Sequence, residues 1–361
     1  MSKNVKLAIA GVGNCASALI QGITYYRSRD PDAVAGLMHP NIGGYGPSDI
    51  DIVVAFDIDA RKVGLPLHKA VFAPPNCTTV FQRELSGHDA IVQMGPVLDG
   101  VAAHMADYPE ARAFRPADAE PVNVTEALRR SGAEVLACYL PVGSEQAVRH
   151  YAQACLEAGV AMVNCVPVFI ASDPEYAKAF VDRNIPIVGD DIKSQFGATI
   201  LHRIIARTMG DRGVRVQRTY QLNTGGNTDF LNMLELKRLK TKKISKTESV
   251  QSQLDQRLDD DNIHIGPSDY IPFQHDNKVC FLRLEWDGFG DVPMHLEARL
   301  SVEDSPNSAG VAIDAIRAAK LALDRNVGGP LLPVSAVTMK HPPQQMRDSD
   351  AWAALNTYIA G

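Results

Sequence analysis

Short apolar runs separated by helical patterns dominate the first 200 residues of the chain. Val5–Ala10 and residues 50–56 are almost entirely apolar, as expected of central parallel strands that are covered on both faces. The same signal recurs at residues 90–93, 135–140, 161–166 and 187–188. Helical patterns lie between most of these runs, and a Gly- and Pro-rich loop is predicted at residues 31–47. Strands that alternate with helices predict a doubly wound parallel sheet of the α/β class.

The pattern changes after about residue 213. Residues 214–222, 278–285 and 294–302 alternate between apolar and polar positions, which predicts half-exposed strands in a mixed α+β domain. Helices are predicted at residues 309–324, ending before Gly328-Gly329-Pro330, and at residues 348–359. The predicted regions are a first domain at 1–200, a second at 201–310, and a C-terminal helical segment at 311–361 that returns to the first domain.

Composition and charge exclude several classes of protein. The chain has 361 residues and a formal net charge of −6, which argues against a general nucleic-acid binder. No apolar run approaches the ~18 residues that span a bilayer, and the N-terminal residues lead into a strand without the pattern of a signal peptide. The six cysteines show no CxxC pair and no zinc-site spacing. We therefore expect a cytoplasmic protein that binds neither membrane nor nucleic acid and has no metal site visible in its sequence.

A glycine turn follows the first predicted strand. Gly11-x-Gly13-x-x-Ala16 lies between a strand and a helix, which is the context that the dinucleotide fingerprint requires. Asp57 stands at the end of the second strand, with Asp59 behind it, where an acid binds the adenosine ribose hydroxyls and rejects a 2′-phosphate. The turn therefore predicts an NAD-binding Rossmann domain. The alternative interpretation is a plain strand–glycine–helix turn.

Two later segments have the composition of anion sites. Ser194, Gly197, Ala198 and Thr199 precede or begin an apolar helix, where backbone amides favour a phosphate, although Ser and Thr also serve as simple helix caps. An Asn/Gly/Asp-rich turn at residues 223–229 is followed by a basic run in which Lys242 and Lys246 are four residues apart. On a helix these two lysines share a face. The alternatives here are a bound anion and a solvated basic face.

Eight segments recur in an order that is specific to one known family. They are GVGNCAS, YLPVGSE, GDDIKSQFGAT, QLNTGGNTDFLN, KKISK, HIGPSDY, EDSPNSAG and MKHPPQQ. Together they resemble the inositol-1-phosphate synthases in their shorter bacterial and archaeal form, over essentially the whole chain. The resemblance implies an NAD-binding Rossmann domain joined to a catalytic and tetramerising α+β domain.

The resemblance also implies roles for particular residues. The implied catalytic residues are Lys242, Lys246, Lys278, Lys340, Asp229 and Asp304. The cofactor contacts that we predict, from the resemblance and from the loops that follow the strands, are Gly11, Gly13, Asn14, Cys15, Asp57, Tyr139, Pro141, Asp190 and Asp304. The implied contacts to the substrate and its phosphate are Ser194, Gly197, Ala198, Thr199, Asn227, Lys242 and Lys246.

The family's reaction converts glucose 6-phosphate to inositol phosphate with NAD that is regenerated in each turnover. The resemblance implies oxidation at C5, enolisation, aldol closure of the ring and re-reduction. It also implies that the enzyme is a homotetramer. The sequence leaves open whether a monovalent or divalent cation binds beside Asp304 and the substrate phosphate. Two rival hypotheses remain: a net NAD-dependent dehydrogenase of homoserine-dehydrogenase-like architecture, and a non-catalytic NAD or sugar-phosphate sensor.

Overall fold

We describe the protein from a computed structural model that covers residues 4–30, 33 and 35–361. Predictions for residues 1–3, 31, 32 and 34 lie outside the described residues. The strands are β1 Val5–Ala10, β2 Ile50–Asp57, β3 Val92–Met94, β4 Val135–Cys138, β5 Ala161–Asn164, β6 Pro186–Val188, β7 Arg215–Gly225, β8 Ile263–Tyr270, β9 Asn277–Asp287, β10 Pro293–Glu303 and β11 Gly329–Pro330. The helices are α1 Asn14–Arg27, α2 Leu67–Ala70, α3 Val124–Ser131, α4 Glu145–Ala158, α5 Pro174–Asp182, α6 Ala198–Asp211, α7 Thr228–Asn232, α8 Lys240–Gln251, α9 Asp304–Asp324, α10 Leu332–Thr338 and α11 Asp348–Ala360.

The first sheet is parallel throughout and has the order β11-β6-β5-β4-β1-β2-β3. From β3 to β6 this is the 3-2-1-4-5-6 order of the Rossmann fold, so the predicted doubly wound sheet is confirmed. Leu7 and Ile9 on one face of β1 and Ala8 and Ala10 on the other are fully buried. Helix α9 packs against α1 and the central strands, which explains its long apolar pattern.

The second sheet is mixed, as the change of pattern predicted. Its order is β10-β9-β7-β8, with antiparallel pairs except for the parallel pair of β7 and β8. Leu282 and Leu284 of β9 point toward α6 and are buried, while Phe281 on the opposite face is 43% exposed. The alternation of polar and apolar positions along β9 and β10 therefore reflects one covered and one open face.

The two sheets meet where the functional segments lie. The loops that follow β1, β4, β5 and β6 leave the carboxyl edge of the parallel sheet, where ligands bind in doubly wound folds. The chain that leaves β7 forms α7 and α8, and these helices face the same edge across a shared cavity. Residues from both sheets therefore line one site.

Candidate active site

A cavity of about 180 Å³ lies at the carboxyl edge of the parallel sheet. Its wall includes the turn after β1, the loops after β4 and β5, and the segment between β6 and α6. The turn after β7, α8 and the first turn of α9 supply further lining residues. The cavity thus brings together segments that are up to about 330 residues apart in sequence, from Gly13 to Lys340.

Four lysines converge on this cavity. Lys242 and Lys246 lie on one face of α8, as their spacing predicted, while Lys278 comes from β9 and Lys340 from the segment after α10. Three acids, Asp191, Asp229 and Asp304, line the same cavity. A buried cluster of cations favours an anionic ligand or a reaction that develops negative charge.

Asp191 links two of the lysines. Its carboxylate is buried and accepts hydrogen bonds from Lys340 Nζ at 2.9 Å and from Ser245 Oγ at 2.6 Å, and Lys242 Nζ lies 3.6 Å away. Burial opposes ionisation of this carboxyl, but Lys242 and Lys340 outweigh burial and lower its pKa to about 2. The same acid, followed by Asp229 and Asp304, overcomes the burial of Lys242 and raises the pKa of that ammonium group.

Lys246 has the opposite environment. Its side chain is 8% exposed, and burial together with the charges of Lys242, Lys278 and Lys340 lowers its pKa well below the usual lysine value. Burial also lowers the pKa of Lys340, although Asp191 counteracts it. The surroundings of Lys246 therefore favour the neutral amine, the form that accepts a proton.

A second network fixes the wall near α9. Lys278 pairs with Asp304, and this ammonium group lowers the Asp304 pKa against the effect of burial. Below them, Asp276 accepts hydrogen bonds from Asn227 Nδ2 at 3.0 Å and from Ser305 Oγ at 2.9 Å. Asp276 thereby ties the turn after β7 to the first turn of α9.

Two helix N-termini open on the cavity. Gly13 precedes α1 and Gly197 precedes α6, and neither helix has an acidic residue in its first turn. A Cβ added at Gly13 would meet no atom within 4 Å, so this backbone faces open space. Gly11 has a φ of +92°, and a Cβ there would lie 2.8 Å from the Tyr139 carbonyl oxygen. The first turn therefore fits a dinucleotide pyrophosphate, and the second fits a phosphate.

The predicted site residues line the cavity with three exceptions, Gly11, Asp57 and Asp190. Gly11 and Asp57 support the turn from below, since Asp57 Oδ2 accepts the Val12 N–H at 2.6 Å. Asp190 does not line the cavity, and its role as a cofactor contact stays a prediction. Its buried carboxylate accepts from Asn164 Nδ2 at 2.7 Å and from the amides of Ile170, Ala171 and Ser172.

Several residues of the wall were not singled out from the sequence. Asp191 is the most important of them. It was not singled out because the sequence shows two adjacent acids but not which of them faces the cavity. Ser305 and Ser308 of α9 lie near Cys15 across the cavity. Gln221 and Asn223 of β7 also line it, and their alternating spacing was the available signal.

Across residues 4–30, 33 and 35–361, no group of three or more His, Cys, Asp or Glu side chains is arranged to hold a metal ion. In the same part of the chain, no helix has the length and apolarity needed to cross a membrane.

Comparison with known proteins identifies the family. Residues 197–305 match the family model described as myo-inositol-1-phosphate synthase. The inositol-3-phosphate synthase of Mycolicibacterium smegmatis is 54% identical, with 99% of this chain and 98% of that protein covered. The inositol-3-phosphate synthase of Corynebacterium glutamicum is 52% identical, with 99% of each chain covered.

Solved structures share the fold over the whole chain. The crystal structure of Ari2 has a TM-score of 0.78 at 34% identity and covers 99% of this chain and 100% of its own. The inositol-3-phosphate synthase of Caenorhabditis elegans has a TM-score of 0.75 at 17% identity and covers 100% of this chain and 86% of its own. The family assignment rests on the two sequence relatives, which are more than 50% identical to this chain over nearly their full length. This chain belongs to the myo-inositol-1-phosphate synthase family.

Proposed function

We propose that this protein is an inositol-3-phosphate synthase that isomerises D-glucose 6-phosphate to 1D-myo-inositol 3-phosphate. The observation that carries the proposal is the convergence of four lysines and three carboxylates beside a dinucleotide turn. A net dehydrogenase needs one acid or base at the carbon that it oxidises, whereas ring closure develops negative charge on two oxygens. The surplus of lysines therefore favours the isomerase.

The cofactor that we propose is NAD. Gly13, Asn14, Cys15, Tyr139 and Pro141 line the part of the cavity where it would lie, and Asp57 stands at the end of β2. When bound, the cofactor would supply reversible hydride transfer at C5 of the open-chain sugar, with no net redox change over one turnover. This role gives the chain's own side chains two tasks, which are proton transfer at C6 and stabilisation of oxyanions at C5 and C1.

Lys246 fits the proton transfer. Oxidation at C5 acidifies the C6 protons, and a buried neutral amine is suited to remove one of them. Lys242 and Lys278 fit the developing oxyanions, because Lys242 has a raised pKa and Lys278 pairs with Asp304. Preorganised cations of this kind typically contribute about 3–4 kcal/mol each to the transition state. Lys340, held by Asp191, lines the same cavity and is the remaining candidate for proton relay or phosphate binding.

The substrate phosphate is assigned to the N-terminus of α6. Ser194, Gly197, Ala198 and Thr199 line the cavity there, and the helix dipole favours an anion at this end. Asn227, whose side-chain oxygen caps α7, lines the same cavity and is positioned by Asp276. The phosphate thus anchors one end of the substrate while the lysines act on the reacting carbons.

We also propose the assembly and the compartment. The open face of the second sheet carries Phe281, which is 43% exposed, and suits contacts between subunits of a homotetramer. All six cysteines are free, which is usual in a reducing cytoplasm.

The deciding experiment is incubation with glucose 6-phosphate and NAD⁺, followed by identification of the product by NMR. We expect inositol phosphate with no steady rise in absorbance at 340 nm. Stoichiometric accumulation of NADH would favour the dehydrogenase instead, and ligand binding without turnover would favour a sensor.

A variant separates binding from chemistry. Lys278→Ala removes a proposed oxyanion contact that lies outside the glycine turn, so it should retain NAD⁺ affinity in calorimetry and lose inositol phosphate formation. Near-normal turnover of this variant would remove Lys278 from the mechanism.

A further inference from the structure

We propose that Lys62 and Asn76 are positioning residues for the dinucleotide turn, an inference that rests on the proposed use of NAD. Neither residue belongs to the glycine motif or to the segments that resemble the family. Both lie between β2 and β3, where the chain passes beneath the turn after β1. Their task is to fix the orientation of the peptide between Val12 and Gly13.

The contacts converge on one carbonyl group. The Val12 oxygen accepts a hydrogen bond from Lys62 Nζ at 2.8 Å and a second from Asn76 Nδ2 at 3.0 Å. Lys62 Nζ also donates to Asn76 Oδ1 at 2.9 Å, which fixes the two side chains relative to each other. On its other side, the Val12 N–H donates to Asp57 Oδ2. Both polar groups of Val12 are thus bound to side chains from outside the turn.

This clamp determines where the next amide points. In a trans peptide the C=O of one residue and the N–H of the following residue point in opposite directions. Because Lys62 and Asn76 hold the Val12 carbonyl inside the protein, the Gly13 N–H is directed away from them. Val12 is fully buried, whereas Gly13 lines the cavity and has open space beside it. The amide is therefore held ready to donate to a pyrophosphate oxygen.

The chemistry of Lys62 supports a role beyond packing. Its side chain is 1% exposed, and the nearest carboxylate oxygen, Asp57 Oδ2, is 4.0 Å away, beyond hydrogen-bonding distance. Burial lowers the pKa of this amine, although Asp57 opposes the effect. A methionine would fill the same space without the cost of burying an amine. What the lysine adds is a donor that reaches the Val12 carbonyl.

The test compares nucleotide binding with folding. Lys62→Met removes the donor and keeps the volume of the side chain, and Lys62→Gln keeps a shorter donor. We expect the NAD⁺ dissociation constant, measured by calorimetry, to rise at least tenfold in Lys62→Met and by less in Lys62→Gln. At saturating NAD⁺ the KM for glucose 6-phosphate should stay within about twofold of wild type, because Lys62 does not line the cavity.

A second buried lysine provides the control. Lys193 is also 1% exposed and donates to a carbonyl, that of Ala336, at 2.6 Å. Lys193→Met should change the melting temperature by about as much as Lys62→Met does and leave the NAD⁺ dissociation constant within about twofold of wild type. Equal NAD⁺ affinity in wild type and both Lys62 variants would overturn the inference alone. Absence of NAD⁺ binding by the wild-type protein would overturn the proposed cofactor and the inference together.

Discussion

Lys242 and Lys246 are one helical turn apart on α8, yet their surroundings push their pKa values in opposite directions. Asp191 and two further acids raise the pKa of Lys242 against the effect of burial. Lys246 has three lysines as its main charged neighbours and a strongly lowered pKa. Pairs of titratable groups separated in this way divide acid–base roles in active sites. This difference supports the proposed roles of Lys242 as a fixed cation and of Lys246 as the base.

Arginine substitutions test this division. Arginine keeps the positive charge but does not lose its proton, so Lys246→Arg should lower kcat by roughly 10²–10⁴-fold. Lys242→Arg keeps the cation that the role requires and should retain a clearly larger share of wild-type turnover. The measurement is the rate of inositol phosphate formation, with NAD⁺ affinity determined in parallel. Similar losses in the two variants would contradict the separate roles.

Adjacent acids show the limit of sequence reasoning at this scale. Of the two acids in the GDDIK segment, Asp190 was predicted to contact the cofactor, but Asp191 is the one that lines the cavity. The sequence could not separate them, because neighbouring side chains can point to opposite sides of the chain. Asp190 accepts the amides of residues 170–172, whereas Asp191 meets lysines from α8 and from the segment after α10. The two lysines are about 50 and 150 residues away from Asp191 in sequence, so only the folded chain distinguishes the two acids.

Elements with regular apolar patterns were predicted well, and those with breaking residues were not. β1 has the bounds that were predicted for it, but β8 was missed because it contains Gly266 and Pro267. β8 accommodates them as an edge strand, and its pairing with β7 is irregular beside Pro267. Helix α9 begins at Asp304 rather than at the predicted residue 309. Pro306 is compatible with this earlier start because it lies in the first turn, where no backbone N–H is required.

The turn between β1 and α1 allows a matched pair of substitutions. Gly11→Ala places a Cβ at a φ of +92° and 2.8 Å from a carbonyl oxygen, so it should cost about 1–3 kcal/mol and lower the melting temperature. Gly13→Ala meets no protein atom, so the melting temperature should hardly change. Its methyl group would occupy the space of the pyrophosphate and weaken NAD⁺ binding at least tenfold. Calorimetry and thermal unfolding of both variants check the contrast, and unchanged NAD⁺ affinity in Gly13→Ala would place the dinucleotide elsewhere.

At the scale of the whole molecule, the C-terminal region joins the two sheets. β11 extends the parallel sheet beside β6, and α10 packs between α9 and α11. The segment between α10 and α11 brings Lys340 to Asp191. The sequence predicted the second sheet and the returning helix from their patterns, but it contained no signal for these pairings. Long-range contacts of this kind depend on packing rather than on local pattern.

His39 connects three parts of the molecule and makes its stability depend on pH. Its Nδ1 lies 2.6 Å from Asp314 of α9, and its Nε2 lies 3.5 Å from Asn356 of α11. Asp314 also pairs with the buried Arg317, whose guanidinium donates to the carbonyls of His39 and Pro40. The hydrogen bond to Asp314 raises the pKa of His39, and burial and Arg317 oppose this without cancelling it.

The sign of the pH effect follows from that raised pKa. A group whose pKa is higher in the folded state stabilises the fold fully below its unfolded value of about 6.5, and the contribution disappears as pH rises through the folded value. His39→Asn removes this contribution. The difference in melting temperature between wild type and the variant should therefore be larger at pH 6 than at pH 9, with wild type the more stable. The same comparison in an Asp314→Asn background should show no pH dependence, because the acceptor is gone. A difference that grows with pH would mean that His39 is neutral in the folded protein and joins these elements only by packing.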